Sequence, residues 1–225
     1  MKTALLSSLL LVTLTFFGQK TIDYKDGSVY VGHISKGQLN GHGKMVWASG
    51  NTFEGQWKNG AQNGAGKFTW VSGATYDGNW KDGTRSGHGV YHYVNNGTYT
   101  GTWKNGKIHG RGTRIWGSGT KYVGSWMQGE EHGKGTCTWS SGDEYHGGWK
   151  NGKQNGKGRY HYSGGDRYVG QWKNGQKDGK GTYYWANGDK YVGHWLDGNK
   201  HGKGVLYYAN GLIDKGRWSH GDFAK

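Results

Sequence analysis

The sequence predicts an all-β chain: a single-layer, elongated, twisted antiparallel sheet built from tandem 23-residue β-hairpin repeats. Three observations predict it. Equivalent aromatics recur at a fixed spacing: Tyr30, Phe53 and Tyr76 stand 23 residues apart. Within a repeat, aromatics alternate with other residues at period two, as on a strand whose side chains point to opposite faces. Glycine reaches 47 of 225 residues and proline is absent, where an ordinary chain of this length holds about 16 glycines. Aromatics at 15% of the chain also set it apart from disordered segments, which are poor in them.

Residues 1–18 read as a signal peptide. Lys2 supplies the positive start, Ala4 to Phe17 form the apolar run, and Gly18 is a small residue just before Gln19. Phe16 stands where a cleavage site favours a small residue, so retention as an N-terminal anchor is the alternative. No later apolar stretch approaches the ~18 residues of a membrane-spanning helix. The expectation is a secreted, periplasmic or cell-envelope protein.

Residues 19–29 form a half repeat (Ile22, Tyr24, Gly27) that caps the N-terminal end. Residues 30–213 hold eight complete repeats, beginning at Tyr30, Phe53, Tyr76, Tyr99, Tyr122, Tyr145, Tyr168 and Tyr191. Their pattern is Y-x-G-x-W-x-x-G-x-x-x-G-x-G-x-x-x-[WY]-x-x-G, with the first aromatic as position 1. Departures are few: Ile34 replaces Trp in the first repeat, and Gly97 stands one place late, behind Asn96. Residues 214–225 form a closing half repeat (Gly216, Trp218, Gly221). It begins with Asp214 in place of an aromatic, which suits a terminal unit with no outer neighbour.

Each repeat reads as two short strands and a hairpin. In Tyr168–Gly175, Tyr168, Gly170 and Trp172 share one face; in Gly181–Gly188, Gly181, Tyr183 and Trp185 do. Asn-Gly and Asp-Gly pairs end the first strand with hairpin-turn chemistry. The G-x-x-x-G-x-G stretch returns the chain to the second strand, its glycines free to take positive φ. Two strands per repeat at about 4.8 Å give a ribbon roughly 75–80 Å long, twisting about 20° per strand. Rings packed on the rings of the next repeat carry the stability.

The formal net charge of +14 favours anionic partners, although turn lysines also keep a flat sheet from aggregating. Between the paired glycines stand Arg111, Lys134, Lys157, Lys180 and Lys203, a cation row predicted in turns near one long edge and able to follow a polyanion. Lys58, Lys81, Lys104, Lys150 and Lys173, before the turns, extend it. The lone Cys137 excludes an internal disulfide framework and reads as buried filler.

No catalytic constellation emerges. The G-x-G pairs recur at the repeat period and mark turns, and no phosphate-loop pattern occurs. His88 and His92 are about 13 Å apart on a strand, and His109 and His132 lie a whole repeat apart, so no metal site is expected. Glu130–Glu131 and Asp143–Glu144 read as solvated turns. Neither a cofactor nor an enzymatic activity is expected.

The repeated Y-x-G-x-W-x-x-G-x-x-x-G-x-G resembles the signature of the MORN family, the membrane occupation and recognition nexus repeats, over nearly all of the chain after residue 18. Family members include junctional membrane proteins, protist cytoskeletal scaffolds and the N-terminal arrays of plant phosphatidylinositol phosphate kinases. The resemblance implies a modular β ribbon, roles in protein–protein interaction or dimerisation, and affinity for acidic phospholipids. The expected function is a non-enzymatic extracytoplasmic interaction or scaffolding module. A peptide or protein partner would enter a groove lined by Tyr76, Trp80, Tyr99, Trp103, Tyr122, Trp126, Tyr145, Trp149, Tyr168 and Trp172. The alternatives are glycan or cell-wall binding through exposed rings, which rings buried against each other would weaken, and binding of acidic polysaccharide or phospholipid along the cation row. Nucleic acid is not an expected partner; a homodimer is compatible with the family.

Overall fold

Complete repeats that lie within one compact unit of the chain each fold into an antiparallel hairpin, and the turn chemistry shows why. In the second repeat a seven-residue strand, Thr52–Lys58, is followed by a nine-residue strand, Ala61–Thr69. Asn59 and Gly60 alone join them, with φ of 50° and 81°. Two consecutive positive φ values make the tight hairpin turn whose twist matches its strands. The next connection, residues 47–51 in the first repeat, is closed by bonds from the Trp47 amide to the Asn51 carbonyl and from the Gly50 amide to the Trp47 carbonyl.

The computed structural model describes residues 14–15 and 18–224. The signal-peptide reading therefore lies largely outside the described residues; Leu14–Thr15 pairs antiparallel with Lys20 and Gln19. No helix among the described residues is long and apolar enough to cross a membrane.

The chain divides into two compact units, residues 1–107 and 108–225. In each, successive strands pair antiparallel in chain order, a single-layer meander of hairpins without crossovers. Between position 3 and position 5 every such hairpin changes register, as where Gly78↔Gly89 gives way to Trp80↔Arg85. The extra residues form a bulge around the position-12 glycine, which holds a positive φ, 68° at Gly87.

The core is one face of the sheet. Along Lys190–Leu196, Tyr191 and Trp195 are buried while Val192 and His194 are exposed. Position-1 rings lie over the two glycines that face each other at positions 3 and 14. The hydroxyl of Tyr76 donates to the Asn79 carbonyl at the bulge, at 3.0 Å. Tyr30, Tyr99, Tyr122, Tyr145, Tyr168 and Tyr191 make the same bond to the carbonyl three residues on. The position-5 indole of the next repeat closes over this ring edge-on, at 5.2 Å between Tyr76 and Trp103. In Trp57, Trp80, Trp126, Trp149, Trp172 and Trp195 the Nε1 reaches back to the position-14 carbonyl of the preceding repeat, at 3.0 Å from Trp57 to Gly43. The single-layer sheet thus builds a core from ring-to-ring contacts between neighbouring repeats, each contributing about 1 kcal/mol beyond buried area.

Candidate functional site

Two surfaces carry the chemistry, and the hairpin register decides which residues reach each. On the aromatic face the first two rows are closed to solvent. Tyr76, Tyr99, Tyr122, Tyr145 and Tyr168 are 0% exposed, and Trp80, Trp103, Trp126, Trp149 and Trp172 lie between 3% and 7%. These residues form the floor of the face rather than an open groove. The reason is local: glycines at positions 3 and 14 let the phenol lie flat, and the following indole covers it.

What solvent meets on this face is a further row, at position 18. In the N-terminal unit it is Trp47, Trp70 and Tyr93; in the C-terminal unit it is Trp116, Trp139, Tyr162, Trp185 and Tyr208, all half-buried. Their rings alternate with those at position 16. Trp47, Phe68, Trp70, Tyr91 and Tyr93 run in contact at centroid distances of 4.5–5.3 Å. Trp139, Tyr160, Tyr162, Tyr183 and Trp185 do so at 4.3–5.8 Å. The [WY] of the repeat pattern marks this row. Its place at the end of the second strand, beside a turn, is what leaves it half exposed.

Charged side chains at position 10 lie on the position-5 indoles of the next repeat. The Arg85 guanidinium is 4.4 Å from the Trp103 ring centroid and donates to the Gly106 carbonyl at 2.9 Å. Lys177 sits 4.5 Å from Trp195, and Lys200 sits 4.0 Å from Trp218. Burial lowers the affinity of both lysines for their protons, an effect the ring faces offset by attracting the cation. Glu131 occupies the same position in its repeat. It is half-buried, and burial raises its carboxyl above the usual range. It is not the solvated turn residue expected from sequence.

Asp143 also differs from expectation. Its carboxylate accepts from the Tyr160 hydroxyl at 2.9 Å and from the Ser163 amide at 2.8 Å. The amide bond holds the carboxyl below its ordinary range. Asp166 and Asp189 likewise cap the Ala186 and Ala209 amides of the following repeats, and Asn51 caps Val71. Position 22 therefore ties each such turn to the next and steadies the aromatic row beside it.

The opposite face is polar, and the cation row lies there. Arg111, Lys134, Lys157, Lys180 and Lys203 are all exposed. They stand in mid-strand, not in turns near an edge as the spacing suggested. The Asn-Gly turn uses only two residues, so the paired glycines fall inside the second strand. Their cross-strand partners are Ser125, Gly148, Gln171, His194 and Arg217. Lys58, Lys81, Lys104, Lys150 and Lys173 do end their strands beside the turn.

Cys137 is buried at position 16, and burial pushes its thiol up to about 12. Among the described residues no three His, Cys, Asp or Glu side chains gather as a metal site would need.

A family model for the MORN repeat matches eight consecutive times, over residues 30–52, 53–75, 76–98, 99–121, 122–144, 145–167, 168–190 and 191–213. No curated protein matches the sequence. Among solved structures the chain is similar to the TCP10 domain of Danio rerio CPAP in complex with a peptide of Danio rerio STIL. That likeness has 11% identity and a TM-score of 0.50, and covers 91% of this chain and 96% of that one. It is similar too to the wild-type TCP10 domain of Danio rerio CPAP, at 11% identity, 90% and 91% coverage and a TM-score of 0.45. At 11% identity the first of these likenesses is one of fold.

Proposed function

We propose, from the premise that this chain belongs to the MORN repeat family, that it is a non-enzymatic scaffold which holds a protein or peptide partner against its aromatic face. The observation that carries this reading is the half-exposed position-18 row. A partner laid across the strands meets one ring per repeat, in the C-terminal unit Trp116, Trp139, Tyr162, Trp185 and Tyr208. Partly exposed Trp and Tyr, fixed by packing, bury large area at little entropic cost, which is how contact hot spots are built. The TCP10 domain, a fold of the same kind, holds a peptide in its solved complex, and a peptide is the partner class we assign here. The glycan alternative is weakened, because the first two ring rows are buried against one another.

The proposed setting is outside the cytoplasm, on the strength of Lys2 and the apolar run that follows. Expressed in its native host, the mature protein should begin near Gln19; an intact Met1 on a cytosolic protein would remove this setting. The binding reading is tested by affinity capture from the native extracytoplasmic extract, with the natural chain beside Trp139→Ser/Trp185→Ser. A partner captured by the first and lost by the second, with circular dichroism unchanged, supports it. Retention of the same partner by the double variant sinks it.

A further inference from the structure

The polar face differs between the two units in a way that bears on binding. Its middle band is formed by positions 2, 4, 13 and 15. In the N-terminal unit this band carries both signs: Glu54 and Asp77 stand among Lys44 and Lys67, and Lys44 pairs with Glu54 at 3.9 Å. In the C-terminal unit it contains no carboxylate. Arg111, Lys134, Lys157, Lys180 and Lys203 run along it, joined by Arg159, Lys215 and Arg217.

Two cross-strand pairs sharpen the point. Lys203 stands directly opposite Arg217, and Lys180 opposite His194. Like charges directly opposite destabilise a sheet, and no carboxylate in this band offsets the Lys203–Arg217 pair. Lys180, Thr182, Val192, His194, Lys203 and Val205 line a shallow hollow between these pairs.

We propose that the polar face of the C-terminal unit binds an extended acidic peptide segment carrying a carboxylate at every third residue. The inference rests on the protein-interaction reading above and adds a second surface, on the other side of the sheet. The spacing selects the partner. Equivalent cations recur every two strands, about 9.6 Å. A polyproline II segment rises about 3.1 Å per residue with three residues per turn, so every third side chain returns to one side after about 9.3 Å. A flat β-extended segment fits less well, because its side chains alternate at period two.

Two other polyanions fit worse. Strand twist of about 20° turns successive cations by about 40° and five through roughly 160°, so a flat lipid surface meets two or three at once while a narrow peptide can wind along the row. Single-stranded nucleic acid is bound by stacking bases on aromatic rings, and this band holds no Trp, Tyr or Phe.

The test uses the full chain and two fluorescently labelled synthetic peptides of about twelve residues. One has Glu at every third position among prolines; the other has the same composition with its glutamates clustered. Vesicles of phosphatidylcholine and phosphatidylserine in equal parts form the second arm. The regular peptide should bind more tightly than the clustered one and weaken as salt screens the exposed charges. Lys157→Ser/Lys180→Ser/Lys203→Ser should weaken it about tenfold. Lys203→Ser alone should leave the thermal midpoint unchanged or slightly raised, showing an intact fold. Equal affinity for both peptides, or binding that survives the triple change, overturns the proposal. Vesicle binding that exceeds peptide binding and depends on the same three lysines overturns it in favour of a membrane surface. Any of these failures leaves the aromatic-face reading standing, since Trp139→Ser/Trp185→Ser tests that on the other face.

Discussion

The phenol ring of Tyr76 lies against the backbone of Gly89, so closely that a methyl group on residue 89 would stand 2.5 Å from its Cζ. The ring is fully buried and cannot retreat. Gly89→Ala must therefore displace the ring and break its bond to the Asn79 carbonyl, at a cost of about 2 kcal/mol. Gly164 is the control: it is exposed, lacks a positive φ and has nothing within 4 Å of an added Cβ. Gly164→Ala should be neutral or stabilise by about 0.5 kcal/mol, by restricting the unfolded chain. Denaturant midpoints of the two variants decide it, and a harmless Gly89→Ala would show that the ring does not depend on the close approach.

Phe53 is the one position-1 ring without a hydroxyl. It is fully buried in the same place as the tyrosines, so the Gln56 carbonyl at its bulge lacks the phenol donor found in the other repeats. Phe53→Tyr should add that bond and stabilise by about 1 kcal/mol, while Tyr76→Phe should lose a similar amount. Opposite shifts in thermal midpoint are the expected readout. Destabilisation by Phe53→Tyr would mean the second repeat has closed around the smaller ring.

The indoles allow a paired comparison. Trp57 donates to the Gly43 carbonyl, whereas the buried Nε1 of Trp103 has no hydrogen-bond partner. Trp57→Phe should therefore cost more than Trp103→Phe, by about 1 kcal/mol, because only the first leaves a carbonyl without its donor. Equal losses in an unfolding titration would indicate that ring area alone sets the contribution of these residues.

The period of the sequence made the strands, their alternation and the Asn59–Gly60 class of turn legible, because each depends on residues near one another in the chain. The matching of Tyr76 with Trp103 was legible in kind, as rings packing on the next repeat. Exposure was harder to read. Tyr76 and Trp70 are both aromatics of one repeat pattern, yet one is sealed and the other half open. The difference lies in which ring the next repeat covers, and that depends on register across strands. The bulge around Gly87 shifts that register and carries the position-13 row, exemplified by Lys180, into mid-strand on the polar face. The partnership of Asp143 with Tyr160 and Ser163 spans two repeats, so only the folded sheet reveals it.

Alkaline pH should unfold this protein through its tyrosine row. Burial raises the phenols of Tyr30, Tyr76 and Tyr191 from 10.0 to about 12, and those of Tyr99, Tyr122, Tyr145 and Tyr168 are raised further for the same reason. A raised folded value means the native state keeps protons that the unfolded chain gives up. The contribution is fully present below pH 10, where both states are protonated. Above pH 10 only the unfolded state ionises, so stability falls with rising pH until the folded value is passed. Each such phenol adds up to about 1.4 kcal/mol per pH unit to the slope, and several act over the same interval. The thermal midpoint should be nearly flat from neutrality to pH 9 as far as these phenols are concerned, then fall steeply between about pH 10 and 12. Tyrosinate absorbance from the buried row should rise together with the loss of β structure, not before it. Tyr76→Phe should make the fall shallower by up to one proton, even though it lowers stability at neutral pH. Ionisation of that row near pH 10 with circular dichroism unchanged would show that solvent reaches the rings and that the sealed floor opens in solution.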